Sequence, residues 1–285
     1  MKKLLVLSCL FGGIFTSLMA QNGWVRDKGG FYAQLSYNYF NSDRFFNISG
    51  EEQFGANSFI QHSVGFYGEY GVTDRFDIIA DVPLFRANRF ETTETATGIG
   101  DLQLQLKYGI LTGSVPVAII VAPEFPTAQA NNLVENREIP GDVANLPTGD
   151  GEFNLWTTAV ASHGLESIPL YGVLHAGYNF RTQYDGLEFR DQYRIGIEVG
   201  YTIKEKLILI GRLMALQTIG DDQTTNSFIR TDGTGFTSYS YGLFYKATDN
   251  LRLIAFAQNY LGGPIERRNV YQAPFLTFGV AWEKR

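Results

Sequence analysis

The sequence predicts an all-β protein: a transmembrane, antiparallel, up-and-down β-barrel of about 12 strands. Apolar and polar residues alternate in stretch after stretch, and side chains on a strand point alternately to its two faces. The connections between these stretches are short turns and long loops in turn, as in barrels of the bacterial outer membrane. The clearest stretch sets Leu104 and Leu106 on one face against Gln103 and Gln105 on the other.

The first twenty residues have the features of a secretory signal peptide. Lys2 and Lys3 precede an apolar run over residues 4–19, and Ala20 is a small residue at the expected cleavage point. The predicted division is therefore a signal peptide over 1–20 and a barrel over 21–285. An uncleaved membrane anchor is the alternative, but the run is shorter than the ~20 residues that a spanning helix needs.

The composition excludes several other classes of protein. Cys9 is the only cysteine and lies in the predicted signal peptide, so a disulfide framework and thiolate metal sites are excluded. No apolar run of about 20 residues follows Ala20, which argues against a helical membrane protein. The formal net charge of -6 makes nucleic acid a poor partner.

The individual strands follow from the same alternation. We expect them near residues 30–41, 59–72, 76–85, 98–108, 115–125, 152–163, 170–181, 191–203, 207–217, 236–246, 251–260 and 274–283. The pattern does not decide which residues face outward near 115–125 and 152–163, and ten or fourteen strands remain compatible with it. An even number of strands places both termini on one side, which we expect to be the periplasm.

Six aromatic side chains next to a short turn or the C-terminus all fall on the predicted outward face. Such a girdle is expected where a barrel meets lipid headgroups. A soluble β-sandwich, the alternative, would also alternate but has no reason to place rings at its strand ends. The six are Tyr70, Phe76, Tyr108, Tyr201, Tyr245 and Trp282.

The residues on the opposite, inward face are polar or charged, with charges of both signs. They predict a narrow lumen lined by these side chains. Charges kept away from lipid are usually paired, so salt bridges that hold the wall are the simpler interpretation. As a set, however, these charges could select solutes. The candidates are Glu69, Asp77, Asp81, Asp101, Gln103, Gln105, Lys107, His175, Asn179, Arg181, Arg194, Glu198, Arg212, Lys246 and Arg252.

The longest connection, over residues 126–151, reads as a loop because it contains Pro140, Pro147 and several glycines. A solvated external loop is the simpler expectation. Entry of this loop into the lumen, where it would constrict the pore, is the alternative.

The histidines do not form a catalytic pattern with their neighbours. His62 and Ser63 are adjacent, so they face opposite ways on a strand. His163 lies at a strand end, and His175 has inward parity but no serine that can be assigned to it. The prediction is a protein that is not an enzyme and has no metal site or other cofactor.

Three short segments resemble a known family. Residues 70–77 (Tyr-Gly-Val-Thr-Asp-Arg-Phe-Asp), 98–102 (Gly-Ile-Gly-Asp-Leu) and 146–151 (Leu-Pro-Thr-Gly-Asp-Gly) resemble outer-membrane proteins grouped as transporters of the meta-pathway of phenol degradation. Barrels of this type often end on an aromatic residue, whereas three charged residues follow Trp282 here. The resemblance implies a channel that admits small hydrophobic or aromatic molecules.

The sequence thus predicts a passive outer-membrane channel, with outer-membrane lipid and a small solute as its partners. A structural barrel, or one that binds a partner through its loops and has a blocked lumen, is the alternative. Neither the identity of the solute nor the oligomeric state follows from the sequence.

Overall fold

The chain forms a closed barrel of 12 antiparallel strands, as predicted. The structure is a computed structural model that describes residues 21–165, 167–220 and 232–284, so the predicted signal peptide lies outside the described residues. The barrel closes because the first strand pairs with both the second and the last. We number the barrel strands β1 Phe31–Phe46, β2 Glu52–Thr73, β3 Phe76–Phe90, β4 Leu102–Leu111, β5 Val117–Phe125, β6 Asn154–Gly164, β7 Leu170–Arg181, β8 Gln192–Ile203, β9 Leu207–Thr218, β10 Gly235–Lys246, β11 Leu251–Leu261 and β12 Phe275–Lys284.

The two ends of the barrel differ. Short turns join β2 to β3, β4 to β5, β6 to β7, β8 to β9 and β10 to β11 at one end, where β1 begins and β12 ends. We call this the short-turn end. The remaining connections lie at the long-loop end, together with short strands Ala96–Gly98, Leu133–Glu135, Val143–Asn145, Gln183–Tyr184, Leu187–Glu188 and Val270–Tyr271. None of the described residues forms a helix of the length and hydropathy needed to span a membrane.

Outward side chains are apolar on most strands, and on β4 the inward side chains are polar. On β4, Leu106 is 45% exposed and Tyr108 is 50% exposed, whereas Gln105 is 1% exposed and Lys107 is 2% exposed. This inverts the usual arrangement of a soluble protein, in which the exposed face is the polar one. It is the pattern of a barrel whose outer surface meets hydrocarbon.

Strands β1 to β3 extend further than the alternation indicates. They contain 16, 22 and 15 residues, and their additional residues lie at the long-loop end. There β1 pairs with a loop strand instead of β12, since Phe45 and Phe46 face Tyr271 and Val270. The sequence expectation was too short because this part of the sheet packs against loops of the same chain and loses the simple alternation.

The structure decides the faces of the two strands that the sequence left open. Ala118 and Ile120 of β5 point inward with Trp156 and Val160 of β6, and all four are buried. Both faces of β5 are apolar because the inner face packs into an apolar cluster inside the barrel. Alternation carries no signal where both faces are apolar.

Several rings on the inner wall lie directly over strand glycines, which leaves the ring packed on bare backbone. The ring of Tyr171 covers Gly200 on the neighbouring strand, and that of His175 covers Gly196. A Cβ atom on Gly200 would lie 2.1 Å from Cε1 of Tyr171. The Tyr171 hydroxyl also donates a 2.8 Å hydrogen bond to Glu198, so the ring is held on both sides.

We therefore expect Gly200→Ala to destabilise the barrel by about 1–3 kcal/mol, because the methyl group overpacks a held ring. Gly211→Ala is the matched control, since a Cβ there has no neighbour within 4 Å. Urea unfolding in lipid vesicles, followed by tryptophan fluorescence, measures both. Equal stability of the two variants would show that Tyr171 moves aside freely.

Candidate functional site: the barrel interior

Most of the predicted lumen-lining side chains lie inside the barrel wall. Six of them are partly exposed: Asp81, Asp101, His175, Arg212, Lys246 and Arg252. The other nine are buried: Glu69, Asp77, Gln103, Gln105, Lys107, Asn179, Arg181, Arg194 and Glu198.

The predicted girdle residues lie on the outer surface near the short-turn end. Phe76 is half-buried, and the other five are between 43% and 51% exposed. Those five are Tyr70, Tyr108, Tyr201, Tyr245 and Trp282.

The interior charges are mostly paired. Lys107 Nζ lies 2.8 Å from Glu69 Oε1 and 3.3 Å from Asp77 Oδ2. Arg212 on β9 pairs with Glu198 on β8, and Arg181 on β7 pairs with Glu152, between the loop over 126–151 and β6. Most interior charges therefore form ion pairs within the barrel. This favours the interpretation that the charges hold the wall together by salt bridges.

Arg194 is held differently from the other interior cations. Its guanidinium carbon lies 4.0 Å from the ring centroid of Trp156, and Nη2 donates a 3.2 Å hydrogen bond to Thr158 Oγ1. Stacking on an indole ring attracts a cation through the ring quadrupole. The Trp156 ring, which points into the barrel, therefore provides part of the stabilisation that a carboxylate gives to the other cations.

Apolar clusters share the interior with these charges, and sequence reasoning missed them. One cluster at the long-loop end contains Phe40, Phe59, Phe90 and Tyr271, with Phe59 stacked on Tyr271 at a centroid distance of 5.2 Å. The available signal was a set of aromatic residues at positions of inward parity, such as Phe40 on β1. The interior is thus amphipathic rather than a purely polar wall.

Residues 144–150 of the loop over 126–151 fold into the barrel, so the expectation of a solvated external loop is wrong for this part, whereas most of residues 131–141 is exposed. Leu146 is fully buried in the aromatic cluster, and Thr148 is also fully buried. Asn88 Nδ2 donates to the Pro147 carbonyl at 2.7 Å, and Arg86 Nη1 donates to the Thr148 carbonyl at 2.6 Å. These inward donors on β3 bind carbonyl groups of the loop that would otherwise lack partners, and this makes the buried path possible.

The segment that precedes β1 lies inside the short-turn end. From β1 it passes β2 and β3 and reaches β6 and β7, the opposite side of a twelve-strand circle. The Gly23 amide donates to Ser162 Oγ at 2.7 Å, and the Trp24 ring meets the Tyr171 ring edge-on at 5.8 Å. Residues 22–30 therefore run along the inner wall at this end, past β2 to β6, and we call them the N-terminal strap.

Arg26 anchors the middle of the N-terminal strap to the wall. Its Nε lies 2.9 Å from Glu69 Oε2 on β2, and its Nη1 lies 3.3 Å from Glu283 Oε1 on β12. Its backbone amide also points at the carboxylate of Asp77, 3.2 Å away. Burial alone would lower the pKa of Arg26, but the carboxylates of Glu69 and Glu283 more than offset it, so the pKa is raised and the guanidinium stays charged.

A chamber of about 550 Å³ lies between the N-terminal strap and the wall, at the short-turn end. One side of it is apolar and consists of Trp24, Tyr32, Ile208, Ile210 and Phe244. The other side carries ion pairs. The charged residues of the chamber lining, together with the groups that pair with them, comprise five cations and five anions. The cations are Arg26, Lys107, Arg212, Arg252 and Lys284, and the anions are Asp27, Glu69, Asp77, Glu198 and Glu283.

The histidines lie apart from one another. His62 faces outward, where its Nδ1 lies 2.6 Å from the Tyr37 hydroxyl, and His163 lies 2.9 Å from the Ser114 carbonyl at a turn. His175 faces inward. Across the described ranges, His, Cys, Asp and Glu side chains form no group of three or more that could hold a metal ion.

Comparison with known proteins places the fold but not a family. No family model matches the chain, and no curated protein matches it. An outer membrane channel from Pseudomonas putida F1 is similar in structure, with a TM-score of 0.70 at 14% identity over 94% of this chain and 100% of that one. The translocator domain of the autotransporter NalP from Neisseria meningitidis has a TM-score of 0.53 at 8% identity, over 91% of this chain and 90% of that domain. The chain therefore has the fold of outer-membrane β-barrels, and the resemblance to phenol-pathway transporters stays an expectation.

Proposed function

We propose that this protein is a passive channel of the bacterial outer membrane for small solutes, including hydrophobic or aromatic ones. The observation that carries the proposal is how the interior is filled. At the long-loop end it is occupied by a loop, which is held by hydrogen bonds to Arg86 and Asn88. A loop held in this way can leave the lumen without breaking the barrel, whereas side chains of the wall cannot.

The outward girdle supports an orientation for this channel. Aromatic rings such as Tyr108 and Tyr201 lie near the short-turn end, where they suit the headgroup region. Outer-membrane barrels have short turns on the periplasmic side and long loops outside. The short-turn end, with both termini, is then periplasmic, after removal of a signal peptide over residues 1–20.

The amphipathic interior supports the solute class. Aromatic clusters at the long-loop end are followed along the barrel axis by paired charges and then by the chamber with its apolar side. A solute with a ring and a polar group finds partners along this whole path. The proposal is for a channel and not for an enzyme, with lipid and a small solute as its partners.

The opposite function, a structural or loop-binding barrel with a blocked lumen, has one observation in its favour. Leu146 and Thr148 are fully buried, so the loop fills its part of the interior closely. The two functions differ in whether this loop moves.

A disulfide between the loop and the short strand Ala96–Gly98, which pairs with β3, tests this directly. An ideal Cβ on Gly98 lies 3.6 Å from the Thr148 Cβ, which is within the range of a disulfide. In a Cys9→Ser background the chain has no other cysteine. We expect current through planar bilayers from the parent protein, loss of most of that current in oxidised Gly98→Cys/Thr148→Cys, and its return on reduction.

The two single-cysteine variants are the controls and should conduct like the parent under oxidising conditions. Uptake of arabinose and benzyl alcohol into liposomes provides a second readout. A parent protein with neither current nor uptake supports the blocked barrel. Unchanged current in the oxidised double variant shows that this loop is not the moving part.

A further inference from the structure

The chamber behind the N-terminal strap has the shape and surface of a binding site. Its volume of about 550 Å³ is in the range of pockets for small ligands, about 300–1,000 Å³. Two separate parts of the chain form most of it: the N-terminal strap and strands β7 to β12. We propose that this chamber binds a single uncharged molecule with one or two rings, held between the N-terminal strap and the barrel wall.

The apolar side of the chamber favours a ring. Trp24 stands edge-on to Tyr171, and the Phe244 ring meets the Phe256 ring edge-on at 5.4 Å. These fixed contacts leave other faces of Trp24 and Phe244 toward the chamber, together with Ile208. Rings pack on such surfaces in offset or edge-to-face arrangements, with a gain beyond simple burial of area.

The charges around the chamber favour a molecule without net charge. Five cations and five anions balance within and directly behind the wall. Glu69 already accepts from Arg26 and Lys107, and Glu283 accepts from Arg26 and Arg252. Among the paired charges a solute ion would find no free counter-charge, and this is unfavourable away from bulk water. Asp27 and Lys284 have no ion pair with any described residue but are exposed, so water and salt screen their attraction for a solute ion.

The polar side still provides hydrogen-bond acceptors to an uncharged ligand. Carboxylates such as Glu283 and Glu198 keep lone-pair capacity beyond the cations they bind, since a carboxylate offers about four acceptor positions. A hydroxyl or amine on the ring can donate to them. The ligand class is therefore an uncharged ring compound with a hydrogen-bond donor.

Trp24 makes this site measurable, because it lines the chamber and is 39% exposed. In a Trp156→Phe/Trp282→Phe background it is the only tryptophan. Three probes share one skeleton and differ in charge at pH 7: benzyl alcohol, phenylacetate and benzylammonium. We expect a saturable change of Trp24 emission with benzyl alcohol and binding weaker by about tenfold or more for both ions, a difference of ~1.4 kcal/mol.

Substitution at Ile208 tests the role of the charge balance. Ile208→Lys adds an unbalanced cation and should raise the affinity for phenylacetate relative to benzyl alcohol. Ile208→Glu should do the same for benzylammonium, and Ile208→Gln, polar but uncharged, should keep the preference of the parent. Heat-modifiable gel migration shows that each variant is folded.

A variant in which Trp282 is the only tryptophan controls for uptake of the probes by lipid or detergent. This proposal rests on the proposed function, but its failure can be told apart from failure of that function. Equal binding of the three probes, or a Trp24 response that does not saturate and equals that of Trp282, overturns the site while the current through bilayers still supports the channel. Saturable, charge-selective binding in a protein without current or uptake supports the site and overturns the channel.

Discussion

Replacement of Lys107 by Met should destabilise the barrel by about 3–5 kcal/mol, the largest single effect that we expect. Lys107 is 2% exposed and is the cation between Glu69 and Asp77. Met has a similar length and keeps the packing of the chain, so the loss is that of the charge. Glu69 keeps its contact with Arg26, whereas Asp77 loses its cation and keeps the backbone amide of Arg26.

The same substitution at Lys246 is the control. Lys246 pairs with Asp249 in a solvated turn, where the aspartate side chain is 93% exposed, and no measurable change is expected. Asp77→Asn added to Lys107→Met should restore part of the stability, because it removes the carboxylate that lost its partner. Reversible urea unfolding in vesicles measures all three. A Lys107→Met barrel as stable as the Lys246→Met barrel would mean that water reaches this cluster and solvates it.

Placement of an arginine on the outer face should have an effect that depends on its depth in the membrane. Leu104 is 38% exposed on the outer face of β4, several residues from the girdle position Tyr108. If the girdle lies at a headgroup region, Leu104 lies near the middle of the hydrocarbon. Leu104→Arg should then cost about 2–4 kcal/mol in lipid.

Ile110→Arg, on the same face of the same strand but beyond Tyr108, is the matched control, with an expected cost of about 0–1 kcal/mol. The comparison uses the same unfolding measurement and the same lipid. Equal costs at the two positions would contradict the proposed depth of the barrel. A Leu104→Arg protein that remains soluble without detergent would contradict the membrane location itself.

The sequence predicted the strand number and the facing of most strands because a two-residue period is a local signal. On β4, for example, every second residue from Gln103 to Lys107 is polar, and those side chains are the buried ones. The signal failed on β5, whose inner face carries Ile120 and is as apolar as its outer face. Periodicity depends on a difference in polarity between the two faces of a strand, so it cannot predict the inward face where both faces are apolar.

The buried loop and the N-terminal strap could not be predicted for a different reason. Leu146 is buried by Phe40 and Phe59, which lie on strands distant in the sequence. Arg26 is fixed by Glu69 and Glu283, near opposite ends of the chain. Contacts of this kind depend on closure of the barrel, and only then do a short polar segment and a proline-containing loop acquire partners.

The strands differ in length, so the barrel wall extends further at β1 to β3 than at the other strands. A strand of 22 residues such as β2, at about 3.3 Å per residue and a tilt of about 40°, rises roughly 55 Å, about twice the height of the apolar band. Its tip carries Phe54, which is 72% exposed. In the proposed orientation the tips of β1 to β3 stand well above the cell surface, where an antibody or a phage can reach them.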